Sequence, residues 1–187
     1  MQPTTPDAKS IKAATVWLAD AQYHCKQNFE GNPYAEETLD QRCSTLRISI
    51  AEIQEAVAKC FDVTVEDLKD QTRRRDIIAP RHIAMYLTKE MTRNSLPGIG
   101  RSFGNRDHST VIHAVNKIAS LREGEPSDEH VQWLNRTIVG LKAQIIADKE
   151  LAKNEQPFTP RNDDDEKKNV ARLTAANKWL KDTYLDR

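Results

Sequence analysis

Apolar positions recur three and four residues apart along most of this chain, which is the spacing of amphipathic helices. A first helix is expected over residues 7–29, and the Gly-Asn-Pro sequence at 31–33 should end it. Ser49 and Glu52 form a capping box before the next apolar stripe, and Thr64 can cap a short helix after it. Because the middle of the chain shows no convincing two-residue alternation, the pattern predicts an all-α protein.

The stretch 99–118 is typical of a helix-turn-helix. A short apolar helix ends at Phe103, and Gly104 and Asn105 tolerate the left-handed backbone that a sharp turn needs. A second helix begins at Asp107 and has apolar positions at helical spacing. These positions are Val111, Ile112, Val115, Ile118 and Ala119. A helix presented N-terminus first, with hydrogen-bonding side chains in its first turn, is what base reading in the major groove of DNA requires.

The helices on either side of this motif have weaker boundary signals. Pro80 is expected in the first turn of the preceding helix, which should end near Ser95. Pro97 is then expected to open the short helix of the motif. Beyond the motif, Ser127 is expected to cap a long helix that runs to about Asn154.

This long helix carries an apolar stripe that has to be buried against something. The stripe consists of Val131, Leu134, Ile138, Leu141 and Ile145. It can pack on the central domain, form a helical hairpin, or serve as the seam of a homodimer. The chain is thus divided into an N-terminal helical extension (1–46), a helix-turn-helix domain (47–123) and a C-terminal helical extension (124–187) with an acidic linker near 157–168.

Charge is distributed unevenly, although 28 basic and 28 acidic residues give a formal net charge of zero. Residues 73–122 contain ten Lys and Arg side chains and three acids, so the flanks are acidic overall. A basic centre between acidic flanks is typical of a nucleic-acid-binding module. No apolar run is long enough for a membrane span and the N-terminus has no signal pattern, so a cytoplasmic, nucleoid-associated bacterial protein is expected.

The chemistry-bearing residues favour neither a metal site nor a catalytic site. The cysteines are Cys25, Cys43 and Cys60. They are too few and too scattered for a disulfide framework, and are expected to be buried small hydrophobic residues in a reducing compartment. A zinc site from His24, Cys25 and Cys43 is the alternative, but the spacing of known zinc motifs is absent. Asp107 and His108 have no nucleophile or paired carboxylate at a suitable spacing, so no enzyme, cofactor or metal is expected.

The segment from Ser49 to Leu121 resembles the C-terminal DNA-binding domain (domain IV) of the DnaA family of bacterial chromosomal replication initiators. The most specific match is IGRSFGNRDHSTVIHAVNKI at 99–118, supported by IQEAVAKCF at 53–61 and APR at 79–81. The resemblance implies an all-α, Trp-repressor-like helix-turn-helix fold with additional flanking helices. Nothing in the chain resembles the Gly-x-x-x-x-Gly-Lys-Ser/Thr sequence of the family's AAA+ ATPase, so a reading domain without that ATPase is expected.

The resemblance also implies a DNA-binding site. In the family, the second helix reads the major groove of an A/T-rich nonamer and an arginine from a basic loop enters the minor groove. By position, Arg73 falls on that arginine, Arg81 on one that contacts DNA near the major groove, and Lys89 on a lysine near the phosphates. The candidate DNA-binding residues are Arg73, Arg74, Arg81, His82, Lys89, Arg106, Asp107, His108, Ser109, Thr110 and His113.

Two departures from the family pattern bear on which DNA sequence is read. His82 replaces the usual glutamine, and Ser109 lacks the methyl group with which the commoner threonine could touch a thymine. His113, one turn further along, can either reach a phosphate or fill the interface with the short helix. These departures bear on the exact nonamer that is read more than on DNA binding itself.

Sequence-specific binding of A/T-rich double-stranded DNA is the function that these features favour. The protein is expected to be a transcriptional regulator or a modulator of replication initiation at sites like those of DnaA, of phage or mobile-element origin. The alternative is an adaptor whose flanking helices bind a protein partner, or a second copy of the chain, while the domain tethers it to DNA.

Overall fold

The computed structural model describes residues 17–27, 36–125 and 127–155, whose regular structure is entirely helical. The helices are α1 (residues 17–24), α2 (Glu36–Thr45), α3 (Ile50–Phe61), α4 (Val65–Lys69), α5 (Arg75–Met91), α6 (Leu96–Ser102), α7 (His108–Arg122) and α8 (Glu129–Glu155). The all-α prediction is therefore confirmed. The first helix, expected over residues 7–29, ends at residue 24 within the described residues, because residues 25–27 are not helical. The expected stop at 31–33 and the acidic linker lie outside the described residues.

The chain divides into two compact units, Met1–Leu151 and Ala152–Arg187. Of the second unit, the described residues include only 152–155, at the end of α8. The first unit contains α1 to α7 and most of α8. No helix in the described part of the chain is long and apolar enough to cross a membrane.

Local capping fixes where the central helices begin. The Ser49 side chain accepts a hydrogen bond from the Glu52 backbone N–H, and the Glu52 carboxylate accepts one from the Ser49 N–H at 2.7 Å. Thr64 and Asp67 form the same reciprocal pair at the start of α4. Each pair satisfies backbone N–H groups that the first turn of a helix leaves without partners. Both caps predicted from the sequence are confirmed.

Both predicted ends of α5 and the predicted start of α8 are wrong. Helix α5 begins at Arg75, so Pro80 lies inside it and not in its first turn, and the helix ends at Met91. The helix tolerates this proline because a missing N–H near the N-terminal end removes a single intrahelical hydrogen bond. At the start of α8, Asp128 accepts a hydrogen bond from the His130 N–H at 2.8 Å and caps the helix in place of Ser127.

Side chains from the flanking helices lie in the same core as the central domain. Helices α3, α5, α6 and α7 bury apolar residues against one another, including Ile53, Ile83 and Phe103. Leu18 of α1 and Leu39 of α2 belong to this cluster. All five residues of the apolar stripe of α8 are buried. The stripe is therefore occupied within the chain, so packing on the central domain is the alternative that the structure favours and the stripe is not an open dimer seam.

Ion pairs link the flanking helices to each other and to the central domain. The Lys142 ammonium of α8 is fully buried and lies 2.9 Å from the Asp40 carboxylate of α2. Lys149 of α8 donates to Glu52 of α3 at 2.7 Å. A buried lysine needs a nearby carboxylate to stay charged, so α2 and α8 depend on each other.

Candidate nucleic-acid interface

The turn between α6 and α7 has the left-handed backbone that its sequence predicts. Gly104 has a φ of 82° and Asn105 a φ of 55°. A Cβ atom at Gly104 would lie 1.8 Å from the carbonyl oxygen of Lys69, so no side chain fits here. A Cβ at Gly100 would lie 2.2 Å from the Arg106 carbonyl oxygen. The turn thus needs glycine both for its backbone angle and for close approach of the main chain.

The first turn of α7 presents a cluster of polar side chains to solvent. Asp107 caps the helix by accepting a hydrogen bond from the Ser109 N–H at 2.8 Å. His108 and Ser109 are exposed, and Thr110 is half-buried. Hydrogen bonds from Ser109 lower the pKa of the Asp107 carboxyl, so it is ionised near neutral pH. His108 Nδ1 lies 3.3 Å from the Asp107 carboxylate. Exposed polar groups at a helix N-terminus are suited to contacts with base edges and phosphates.

The loop between α4 and α5, residues 70–74, is called the basic loop below, and it is tied to the same turn. The Gln71 side chain donates a hydrogen bond to the Gly104 carbonyl at 2.8 Å. Arg106 donates to the Asp70 carbonyl from the other side. Side chains from the basic loop and from the turn before α7 therefore donate to each other's main-chain carbonyls and hold the two segments together.

Arg81 is buried and holds the basic loop in place. Its side chain is 4% exposed, and its guanidinium donates hydrogen bonds of 2.8–2.9 Å to four backbone carbonyls. These carbonyls belong to Asp67, Leu68, Asp70 and Thr72. Burial lowers the pKa of Arg81 to about 10, so the group remains protonated at neutral pH. Four of its five N–H groups are used inside the domain, so the DNA contact that the family resemblance implies for Arg81 stays a prediction that its burial does not favour.

The arginines at positions 73–75 are exposed, and they differ in whether their guanidinium groups have partners. Arg73 is exposed and has no ion pair within the described residues. Arg74 is also exposed, but its guanidinium donates to both carboxylate oxygens of Asp76. Arg75, the first residue of α5, is exposed as well and was not among the candidates. Of the candidate arginines in this loop, Arg73 is the one with an unengaged guanidinium.

His82 lies under α1 and is not at the surface expected for a DNA contact. Its ring centroid is 6.1 Å from that of Trp17 and 6.1 Å from that of His113. Its Nδ1 is buried, and burial together with the positive charge of Lys117 lowers its pKa to about 3. His82 is therefore neutral at physiological pH. His113 is exposed and stands edge-on to it, so it can reach a phosphate while it contacts its neighbour.

Two further candidates occupy distinct places. Lys89 is exposed but lies fourteen residues into α5, about 21 Å along the helix from its start, so the structure does not bring it to the basic loop. Arg106 is half-buried and donates to Asp70, so it braces the turn more than it offers a free charge.

Sequence reasoning missed the long-range partners of α7. The Lys117 ammonium lies 4.2 Å from the ring centroid of Trp17, a cation–π contact that joins α7 to the N-terminal flank. Gln71, which links the basic loop to the turn, was not among the candidate residues. The zinc alternative finds no support in the described residues, because no three potential ligand side chains cluster there and Cys25 contacts Cys60 instead of Cys43.

Comparison with known proteins assigns the central domain. Residues 50–118 match the family model described as the bacterial DnaA protein helix-turn-helix. The chromosomal replication initiator protein DnaA of Enterococcus faecalis is 52% identical over 93 residues, which are 50% of this chain and 21% of that protein. That of Lacticaseibacillus casei is 46% identical over 116 residues, 62% of this chain and 22% of that protein. The chain thus spans about a fifth of the length of the curated relatives it matches.

Proposed function

We propose that this chain, whose residues 50–118 form a helix-turn-helix domain of the bacterial DnaA type, binds a short A/T-rich duplex in a sequence-specific way. One observation carries this proposal. A hydrogen bond from Gln71 to Gly104 joins an open polar helix N-terminus to an exposed arginine loop, so two elements suited to different DNA contacts are linked to each other. DNA readers commonly need such a pair, because one element reads base edges and another fixes the position.

In this proposal α7 enters the major groove by its N-terminus. His108, Ser109 and Thr110 then meet base edges, and Asp107 orders the first turn as its cap. Arg73 enters the adjacent minor groove, where a narrow A/T-rich sequence has an enhanced negative potential that attracts a guanidinium. His113 and Lys89 supply phosphate contacts, which fix the position without reading sequence.

The biological role we propose is regulation at sites like those that DnaA recognises. The chain would occupy such sites as a transcriptional regulator or as a modulator of replication initiation. Support comes from the similarity, which is confined to the DNA-reading part of the initiators and covers about a fifth of their length. Genomic footprinting separates the roles. Sites concentrated at promoters support regulation of transcription, and sites without promoter bias support an origin factor or a DNA-tethered adaptor.

The test of the minor-groove contact is the Arg73→Ala variant. Binding to an A/T-rich duplex, followed by fluorescence anisotropy, should weaken by about 5- to 150-fold, the scale of one site-reading contact. Arg74→Ala is the matched control, because its guanidinium is already paired with Asp76 and its loss should change affinity less. Equal affinity of Arg73→Ala and the wild type would place the contact elsewhere.

The test of base reading is selection from a random DNA pool. The double variant His108→Ala/Ser109→Ala should select a different motif from the wild type, because these side chains stand where base edges are met. Ser120→Ala, an exposed residue near the other end of the same helix, should select the wild-type motif. If the double variant selects the wild-type motif, neither residue contributes to base recognition. Affinity of the wild type that ignores salt would contradict DNA binding as a whole.

A further inference from the structure

Two cysteine sulfurs from different segments lie in contact where α1 ends. The Sγ of Cys25 is 3.4 Å from the Sγ of Cys60, and 35 positions separate the two residues. The backbone N–H of Lys26 donates to the Cys60 carbonyl at 2.8 Å, so the main chains are also close. Cys60 is buried in α3 and Cys25 is half-buried. The third thiol, Cys43, is buried elsewhere, near Lys142 and Asp40.

We propose that Cys25 and Cys60 form a thiol modification site, which hydroperoxides convert into a disulfide within the chain. The two sulfurs must approach each other by about 1.4 Å to reach the length of an S–S bond. The adjacent backbone hydrogen bond already holds the two segments at short range, which a disulfide also requires. This site is independent of the proposed DNA binding.

The environment gives the two thiols different roles. A hydrogen bond from Cys60 lowers the pKa of Cys25 to about 7, so a large share of it is thiolate near neutral pH. The same hydrogen bond, together with burial, raises the pKa of Cys60, which keeps its proton. Cys25 is also the more accessible sulfur. Cys25 is therefore the attacking thiol and Cys60 the resolving one.

The reaction proceeds in two balanced steps. The Cys25 thiolate attacks one oxygen of hydrogen peroxide, the O–O bond breaks, and hydroxide leaves and becomes water, which gives a sulfenic acid at Cys25. The Cys60 sulfur then attacks the Cys25 sulfur, the S–O bond breaks, and a second water leaves with the Cys60 proton. The two thiols lose two electrons and two hydrogens in total, and the peroxide is reduced to two waters.

The disulfide would link the segment 17–27 covalently to α3. In the reduced chain this segment is held by packing and by contacts such as that of Trp17 with Lys117. A covalent link between residues 35 positions apart restricts the unfolded chain, and this raises the temperature of unfolding by roughly 5–10 °C. Disulfides of this kind inside cells are transient and redox-sensing, so the reduced pair is the resting state.

The experiment uses the purified full-length chain, fully reduced and then treated with hydrogen peroxide. After denaturation and alkylation with N-ethylmaleimide, intact mass should show one alkylated thiol, against three in the untreated chain. Peptide mapping should find Cys25 linked to Cys60, with Cys43 carrying the alkyl group. Thermal unfolding of the oxidised chain should shift upward as stated above.

Three variants make the result specific. Cys43→Ser should oxidise as the wild type does and then carry no alkyl group, and it should show the same thermal shift. Cys25→Ser and Cys60→Ser should form no internal disulfide and show no thermal shift. The proposal is overturned if the link includes Cys43 or joins two chains. It is also overturned if all three thiols of the wild type survive a peroxide treatment that oxidises dithiothreitol completely.

Discussion

The DNA-reading domain and the helices that flank it are held together by different kinds of contact. Within the domain, the decisive contacts are between backbone atoms or reach a backbone carbonyl, as in the approach of Gly104 to Lys69 and the four bonds of Arg81. The flanks attach mostly through side chains, such as Lys149 with Glu52, with a main-chain hydrogen bond from Lys26 to the Cys60 carbonyl beside them. The stability contributed by close backbone contacts depends on steric fit, whereas that of ion pairs between side chains depends on charge and on exposure to solvent. The two regions should therefore respond differently to mutation and to pH.

The largest effect is expected at the turn between α6 and α7. Gly104→Ala places a side chain in left-handed backbone and against the Lys69 carbonyl, so it should lower the free energy of unfolding by ~3 kcal/mol or more. Gly98→Ala is the control within α6, because its Cβ would meet only the flexible Ser95 side chain at 3.2 Å. Urea unfolding of both variants measures the difference. Equal stabilities would contradict the role of close backbone approach.

A somewhat smaller effect is expected at Arg81. Arg81→Ala removes four hydrogen bonds and leaves three carbonyls without a side-chain donor, since Asp70 keeps Arg106, and it should cost about 2–3 kcal/mol of unfolding free energy. Arg81→Lys should recover little, because a single ammonium cannot reach four carbonyls in the fork geometry of a guanidinium. Arg101→Ala, at an exposed position of α6, is the control and should be close to neutral. Full rescue by lysine would show that only the charge matters at this site.

The junction between the two regions should give a pH dependence. The pKa of His82 is about 3 in the folded chain and near 6.5 when unfolded, so the unfolded state binds more protons between these values. Stability is therefore full above pH 6.5 and falls as pH drops through this window, by roughly 2 kcal/mol at pH 5. His82→Gln, which stays neutral, should remove this component from the curve of unfolding free energy against pH. A curve unchanged by the substitution would assign the acid sensitivity to other groups.

The smallest effect is expected at the outer ion pairs of the flanks. Lys149→Gln breaks the pair with Glu52, which is partly exposed, and should change the free energy of unfolding by less than about 1 kcal/mol. The effect should shrink further at high salt. Thermal unfolding at low and high ionic strength measures it. A loss of unfolding free energy as large as that expected for Arg81→Ala would contradict the expected difference between the two regions.

What could be predicted from the sequence was set by contacts between near neighbours. The capping box of Ser49 with Glu52 and the turn at Gly104 and Asn105 involve residues a few positions apart, so the local sequence contains the whole signal. The start of α5 was misplaced because Pro80 favours a first turn but does not require it. The pattern therefore predicted the existence of the helices more reliably than their boundaries.

The candidate site was predictable only in part, for a physical reason. Arg81 was assigned to DNA by its position in the family motif, but its actual partners are carbonyls that α4 and the basic loop bring to it in the folded chain. The contact of Trp17 with Lys117 joins residues a hundred positions apart. No periodicity or motif records such pairs, because they arise only when helices pack.

The hydrogen bond from Gln71 to Gly104 also makes the domain sensitive to the spacing between two contact points on the double helix. Under the proposed function, this hydrogen bond helps to fix the distance and the angle between the groove reached by Arg73 and the groove entered by α7. One extra base pair between the two contacts would move them apart by roughly 3.4 Å and rotate them by about 35°. The domain should therefore reject such a spaced site as firmly as one with a wrong base.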